Sequence, residues 1–337
     1  MNLKTIAEKA GVSTATVSNV INGNHHKVSQ KTIMKVQKII EENDYKPNAT
    51  ARSLASKKSR IIGVVVTNIN EKGDFFANPH YAHLLALLEK DIRSQGYFMM
   101  MRCVERCVEI IPLFSSWNVD GMIFFGTFRD EVEEIREQVD VPVVFIDTYA
   151  EDLPVANVGI DDYKGGYLAA KYLLDRGHTQ IALVGPRIRY NGVMKHRFTG
   201  FWDACREKGI PVQEDRFYES DAMFECGVEA GKRIADAPIE YTAAAVMSDI
   251  IAFGVMEGLR QKGKNVPEDV SVIGFDDLLE CRYTNPQLTS VSQKLEQKAE
   301  AVGRTLFQLI REEGMLPINE IGDVEIIERR SVRNLNE

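Results

Sequence analysis

Little in this 337-residue sequence speaks for catalysis, for export or for a membrane. Five cysteines, Cys103, Cys107, Cys205, Cys226 and Cys281, are few, scattered and odd in number, which fits reduced thiols better than a disulfide framework. Cys103 and Cys107 stand four apart with no His or Cys beside them, so a zinc site is not expected. No apolar run approaches about 18 residues, which excludes a membrane-spanning helix. The start, Met1-Asn2-Leu3-Lys4-Thr5-Ile6, lacks the apolar stretch of a signal peptide, so the expected location is the cytoplasm. No G-x-x-x-x-G-K-[ST], H-E-x-x-H or G-x-S-x-G pattern occurs, and no cofactor is called for. The Asn48-Ala49-Thr50 sequon carries no weight in a chain without an export signal.

Charge is present but unevenly placed. The chain has 41 Lys plus Arg against 49 Asp plus Glu, a formal −8. Up to Arg60 there are eleven bases and only four acids, a net of +7, which leaves 30 bases and 45 acids, a net of −15, for the rest. A basic head on an acidic body points to a nucleic-acid or anionic partner for the head. With 44% hydrophobic and 27% charged residues, the whole has the makeup of an ordinary globular protein.

The first sixty residues read as helices. Leu3 to Ala10 is amphipathic, with Leu3, Ile6, Ala7 and Ala10 on one face, and Gly11 suits its C-cap. Ser13 or Thr14 can cap a second helix that turns Val17, Val20 and Ile21 inward. Ser29 starts a third, whose inner face is Ile33, Val36, Ile39 and Ile40, with Tyr45 closing the core and Lys46-Pro47 ending the unit. Ala49 to Lys57 is short and helix-prone with little to bury beyond Leu54, so it reads as a hinge, helical only when docked. From Arg60 the texture changes. Ile61 to Val66 is a continuous apolar run, as expected of a strand covered on both faces. Similar runs follow at Tyr97 to Met101, Gly121 to Phe125, Val141 to Ile146, Gln180 to Val184, Ala243 to Met247 and Val270 to Phe275, with helical stretches between. Alternating βα units imply doubly wound parallel sheets, and about ten strands are too many for one such lobe, so the body is split in two.

The most specific stretch runs from Ala10 to Asn22. A helix, a tight turn and a second helix can set the second helix in a DNA major groove. Its exposed positions, Thr14, Ala15, Thr16, Ser18 and Asn19, are short enough for close approach to bases. Asn can read adenine and Thr methyls can pack on thymine methyls, while Ser13, Thr16 and Ser18 are better placed for phosphates. Solvated helix residues are the plain alternative, but the basic excess in the same sixty residues supplies the phosphate attraction.

These residues carry a family resemblance. Gly11-Val12-Ser13-Thr14-Ala15-Thr16-Val17-Ser18 with Val20-Ile21-Asn22, and Tyr45-Lys46-Pro47-Asn48-Ala49-Thr50-Ala51-Arg52-Ser53-Leu54, resemble the lactose-repressor (LacI/GalR) family of bacterial transcription regulators. Further matching segments are Arg176-Gly177-His178, Arg197 to Phe201, Val266 to Asp277 and Ile327 to Ser331, so the resemblance spans nearly the whole chain. It implies that Thr14, Ala15 and Asn19 read bases, with Ser13, Thr16, Ser18, Asn48 and Arg52 also facing DNA. It further implies that Leu54 is levered into the minor groove, which agrees with apolar wedges kinking DNA. The stretch Asn22 to Val28 looks one residue longer than the common family loop, so His25 and His26 read as solvated.

In the family the body resembles a periplasmic sugar-binding protein, two lobes closing on a small molecule. Cleft ligands sit at the carboxyl ends of parallel strands. Asp147 follows Val143 to Ile146, Asp276 follows Val272 to Phe275, Ser248 and Asp249 follow Ala245 to Met247, and Arg197 opens a helix. Carboxylates and an arginine suit vicinal hydroxyls. The resemblance implies effector contacts from Arg197, Asp276, Asp147 and Ser248, with Phe75 and Phe76 in the place of a stacking aromatic; Asp249 is expected to cap its helix. Departures include Ser220-Asp221-Ala222 where many members carry an aromatic, Ser248 in place of an Asn, and a shortened Gly96 to Gly121. Gly165-Gly166 is assigned to packing and Glu131 to Glu137 to a solvated helix face.

The reading that results is a DNA-binding, ligand-controlled transcription regulator, not an enzyme: a repressor of a carbohydrate-utilisation operon. Its expected partners are double-stranded, pseudo-palindromic operator DNA, a sugar-like effector and a second copy of itself as a homodimer, without a membrane. Residues 1–46 would form an all-α helix-turn-helix head, 47–60 a hinge helix, 61–160 with 291–318 the N-terminal lobe, and 161–290 with 319–332 the C-terminal lobe. The family's tetramerising leucine-rich tail is not seen, which favours a dimer. The alternatives are a sugar-binding protein without a DNA role, or a regulator answering to a nucleobase, a nucleoside or a phosphoprotein co-repressor.

Overall fold

The first helices form where short caps and an apolar stripe coincide. In α1 (Leu3–Ala10) the Asn2 side chain accepts from the Thr5 amide at 2.9 Å, and Gly11 ends the helix at φ 63, a left-handed conformation that carries no Cβ penalty for glycine. α2 (Thr14–Ile21) follows after a tight turn, and α3 (Gln30–Glu42) starts where Ser29 accepts from Thr32 N. Ile6, Ala7, Ala10, Val17, Val20, Ile33 and Val36 are buried together, with Leu3, Ile39, Ile40 and Tyr45 packed against them. The computed structural model describes residues 2–21, 23–45, 58–67, 75–150, 152–188, 192–211, 214–312 and 317–337. Asn48, Arg52 and Leu54, and with them most of the proposed hinge, lie outside the described residues.

The chain divides into two units, Met1–Ser59 and Arg60–Glu337. In the second unit, β1 (Ile61–Thr67), β2 (Phe98–Val104), β3 (Gly121–Phe125), β4 (Val143–Ile146), β5 (Ala156–Ile160) and a late strand, Ile318–Gly322, form one parallel sheet. Its order, from the late strand, is Ile318–Gly322, β5, β4, β3, β1, β2. Side chains alternate across this sheet. Val64 and Val66 meet Leu84, Leu88 and Ile92 of α4 (Pro79–Ser94) and Val302 and Leu306 of a late helix, Leu295–Ile310. Val65 faces the other way, onto Phe114, Phe124, Val132 and Phe145. β2 is an edge strand paired only with β1; Phe98 is largely exposed, while half-buried Met99 and Met101 pack on one face of the sheet and Met100 and Val104 on the other. Between β2 and β3 the shortened region holds a 3-10 turn, Cys107–Ile110, and the six-residue α5 (Ile111–Ser116), and α6 (Arg129–Gln138) follows β3.

The second sheet holds β6 (Ile181–Gly185), β7 (Phe217–Glu219), β8 (Ala243–Val246), β9 (Ser271–Asp276), β10 (Thr289–Ser292) and a last strand, Glu325–Ile327. The last strand pairs antiparallel with β10, so this sheet is mixed rather than all parallel. The chain passes from the first sheet to the second after Ile160, returns after Ser292 and crosses again after Gly322. The expected division at 318/319 is corrected, because Ile318–Gly322 pairs with β5. The strands absent from the sequence reading, β5, β7, β10 and the last two, are short, at an edge, or built of Ala, Ser, Thr and Gly rather than long apolar runs.

Glu131 corrects another expectation. It opens α6 as a buried residue beside Arg106, with Nε–Oε1 at 3.8 Å, and burial raises its pKa. Of that run only Glu133, Glu134, Arg136 and Glu137 face solvent, while Val132 and Ile135 are buried with it. Gly166 on α7 (Asp162–Asp175) and Gly200 on α8 (Val193–Glu207) let the two backbones touch. A Cβ on Gly166 would strike the Arg197 carbonyl, and one on Gly200 would strike that of Tyr163. Gly166→Ala is therefore expected to cost about 1–3 kcal/mol by overpacking and to displace Arg197; a urea-unfolding midpoint equal to wild type would contradict it. Among the described residues no helix is long and apolar enough to cross a membrane.

Candidate functional site

In the head, the Ser13 hydroxyl accepts from Thr16 N at 3.1 Å and lies 2.9 Å from the Thr16 hydroxyl. Ser13 rather than Thr14 thus caps α2. Thr14 and Ala15 are exposed on the first turn, whereas Thr16, Ser18 and Asn19 are half-buried. Lys4, Lys9, Lys27, Lys31, Lys35 and Lys38 are exposed around the same small core. Among the described residues only Lys38 of these lies beside a carboxylate, that of Glu42 at 3.8 Å, so most of the positive charge is displayed.

In the body, polar groups gather where strands of both sheets end. Asp147, Asp276 and Asp277 have positive φ, 56, 125 and 56, which is unusual for residues with a Cβ and clusters here at the strand ends. Arg197 is buried. Its Nε donates to Asp162 Oδ1 at 2.7 Å and its Nη1 to the Met247 carbonyl at 2.8 Å, while Asp276 Oδ1 is 3.9 Å from Nη1. Its guanidinium also lies over the Phe275 ring, 3.6 Å from the centroid. Burial opposes the Arg197 charge, but Asp162 and Asp276 outweigh it and its pKa stays above the ordinary value. Asp276 accepts from Ser248 Oγ at 3.1 Å and Gln293 Nε2 at 2.6 Å; burial raises its pKa despite Arg197. Asp147 Oδ2 accepts from Lys298 Nζ at 2.6 Å, and Lys298 also reaches Gln293 Oε1 at 3.2 Å. The Tyr149 hydroxyl donates to Asp162 Oδ2 at 2.5 Å, and its ring stacks on His196 with centroids 4.1 Å apart.

The structure therefore brings Arg197, Asp147, Asp276 and Ser248 into one network. Phe76 is exposed in the short segment before α4. Asp249 does not cap its helix, α9 (Asp249–Gln261). Its carboxylate instead accepts from Leu278 N, Ser290 Oγ and Cys281 Sγ, binding α9 to the ends of β9 and β10. Asp162, Tyr149, His80, Gln293 and Lys298 are participants that the sequence reading missed. Lys298 had a signal: it shares with Leu295 and Val302 the 3–4 spacing of the buried stripe on Leu295–Ile310, where a lysine is out of place. Asp162 follows β5, a strand too weakly apolar to mark its own end.

Among the described residues seven buried side-chain atoms have no hydrogen-bond partner; Asp147 Oδ1 and His80 Nδ1 lie within this network, and His196 Nε2 lies on the ring stacked against Tyr149. His80 lies 3.7 Å from Asp276 Oδ1, and burial, with Lys298 next, lowers its pKa to about 3. Unfolded, the same ring titrates near 6.5. It thus contributes stability above pH 6.5 that is lost as pH falls towards 3. Asp249 runs the other way. Burial, with Asp276 next, raises it from 3.8 to about 7, so its contribution is full below 3.8 and fades as pH rises through 7. His80→Gln removes the first effect alone. The urea midpoint of the variant minus that of wild type should shift in the variant's favour between pH 7 and pH 5; a constant difference would count against a neutral buried His80.

Comparison with known proteins gives two family matches. Residues 2–48 match the family described as "Bacterial regulatory proteins, lacI family", and residues 170–332 match a periplasmic binding protein-like domain. The HTH-type transcriptional repressor PurR of Vibrio atlanticus is 32% identical over 346 residues, covering 99% of each chain. The structure of the Lac repressor dimer bound to operator and the anti-inducer ONPF superposes with TM-score 0.87 at 26% identity, covering 99% of both chains. A complex of the transcriptional regulator CelR with cellobiose has TM-score 0.73 and 26% identity, over 98% of this chain and 99% of that one.

Proposed function

The chain belongs to the lacI family of bacterial regulatory proteins and is a DNA-binding transcription repressor rather than an enzyme, and from that premise we propose how it is controlled. A small molecule, in the first place a sugar, binds between the two lobes of the body. It contacts Asp147, Arg197, Ser248 and Asp276, with an aromatic of the Phe75-Phe76 pair against one face. The observation that carries this is the pair of buried, unsatisfied atoms, Asp147 Oδ1 and His80 Nδ1, within that network. Buried polar atoms are nearly always paired, so two orphans together call for a hydrogen-bonding guest. The CelR neighbour's cellobiose supports a sugar. A nucleobase or nucleoside is the second reading, favoured by exposed Phe76 and the Tyr149–His196 stack, which suit a planar ring.

The head works as a cytoplasmic homodimer on a pseudo-palindromic operator, with Thr14, Ala15 and Asn19 at base edges and Ser13, Thr16, Ser18, Asn48 and Arg52 on the backbone. Leu54 supplies the minor-groove wedge. The effector acts only through its different affinities for two lobe arrangements. A thermal-shift screen of sugars and nucleosides tests the cleft, because a ligand raises apparent stability by mass action. Hits should fade in Asp276→Asn; full response in that variant would place the ligand elsewhere.

A further inference from the structure

A bare lysine in a ligand cleft recruits anions, because an ammonium is a compact point charge for phosphate or carboxylate. Lys298 is not bare. Its side chain is 2% exposed, its ammonium lies 2.6 Å from Asp147 Oδ2 and 3.2 Å from Gln293 Oε1, and Gln293 in turn donates to Asp276 at 2.6 Å. The cation stands on the stripe by which Leu295–Ile310 packs into the first lobe, where an apolar residue would avoid the desolvation cost. Three carboxylates, Asp147, Asp162 and Asp276, face two cations, Arg197 and Lys298, and His80 beside them is neutral. The formal balance of the cluster is negative by one.

We propose that Lys298 is the charge selector of the cleft: its ammonium neutralises Asp147 from within, so the site takes an uncharged hydrogen-bonding ligand and turns away phosphorylated or carboxylated ones. The inference rests on the reading of the cleft as the effector site. An anion could use Lys298 only by displacing Asp147, and would then meet that unpaired carboxylate and the buried carboxylates of Asp162 and Asp276. An uncharged hydroxyl or amide needs no such exchange. It can donate to Asp147 Oδ1, which keeps an unused acceptor site, and pair with His80 Nδ1 in either tautomer. Without Lys298, Asp147 would instead stand as an open carboxylate suited to an amine.

Inorganic phosphate is a sufficient probe, so the test needs no knowledge of the effector. Thermal unfolding of the full chain is followed in phosphate and in chloride of equal ionic strength, for wild type, Asp147→Asn, Lys298→Met and the double variant. General salt effects and anion binding by the basic head are common to all four, so the differences report on the cleft. Asp147→Asn frees the ammonium and should gain about 2–4 °C from phosphate beyond wild type. Lys298→Met and the double variant should gain nothing beyond wild type. Asp147→Ser serves if the asparagine variant fails to fold. Equal gains in wild type and Asp147→Asn, both lost with Lys298→Met, would show an ammonium already open to anions and overturn the proposal. So would a folded Asp147→Asn that responds no more than the double variant. A failed effector screen would leave this result standing, and failure here would leave the cleft's role as a ligand site untouched.

Discussion

Arg197→Ala is expected to lower the stability of the protein by about 3–5 kcal/mol, because it strands a buried carboxylate. Sequence reasoning makes Arg197 an effector contact whose loss abolishes the response while apo operator affinity stays nearly intact. The structure adds a second duty. Nε and Nη1 are committed to Asp162 and the Met247 carbonyl, and Asp162 has little else but the Tyr149 hydroxyl to balance its charge. Burial already raises the Asp162 pKa against the pull of Arg197. Without the guanidinium the acid must protonate or remain buried and uncompensated. The expected loss of effector response therefore comes with loss of stability. Urea unfolding at pH 7 measures it, and Arg197→Met with Asp162→Asn is the control. Removing both charges should recover much of the loss, since a buried pair is often replaceable by neutral groups of similar volume. A single variant as stable as wild type would mean that the pair is not holding α7 to α8.

Leu54→Ala should weaken specific operator binding by about two orders of magnitude and leave binding to random DNA nearly unchanged. A wedge contributes a few kcal/mol through the contacts that a kinked duplex allows, and each 1.4 kcal/mol is about tenfold in affinity. A dimer presents two such residues at the operator centre. Leu54 lies outside the described residues, so the prediction stands on the hinge sequence, where Leu54 has little apolar company among Asn48, Thr50, Arg52 and Ser53. Anisotropy titrations on a specific and a scrambled duplex separate the outcomes. Equal losses on both would remove the wedge from the account.

Legibility in the sequence followed local signals. Caps at Ser29 and Gly11, apolar periodicity in the head and long apolar runs such as Ile61 to Val66 were readable because each is specified within a few residues. The charge break at Arg60 coincides with the boundary between the two units. Asp147 and Asp276 were readable because a carboxylate ending an apolar strand is conspicuous. Lys298, Gln293 and His80 were not, since their partners lie far along the chain; Lys298 bonds Asp147 across 151 residues. The edge position of β2 and the antiparallel last strand were hidden for the same reason, because strand order is a long-range property. The buried Glu131 is a polar side chain placed by tertiary packing against its neighbours' charge pattern.

The most direct test of the account is the affinity of the full chain for one operator, selected from a random duplex pool, with and without the compound that most stabilises the body. Coupling between cleft and head predicts a change of roughly 5- to 150-fold in Kd, lost in Asp276→Asn. A compound that stabilises the body through the cleft yet leaves operator affinity unchanged would contradict the claim that the lobes control the head.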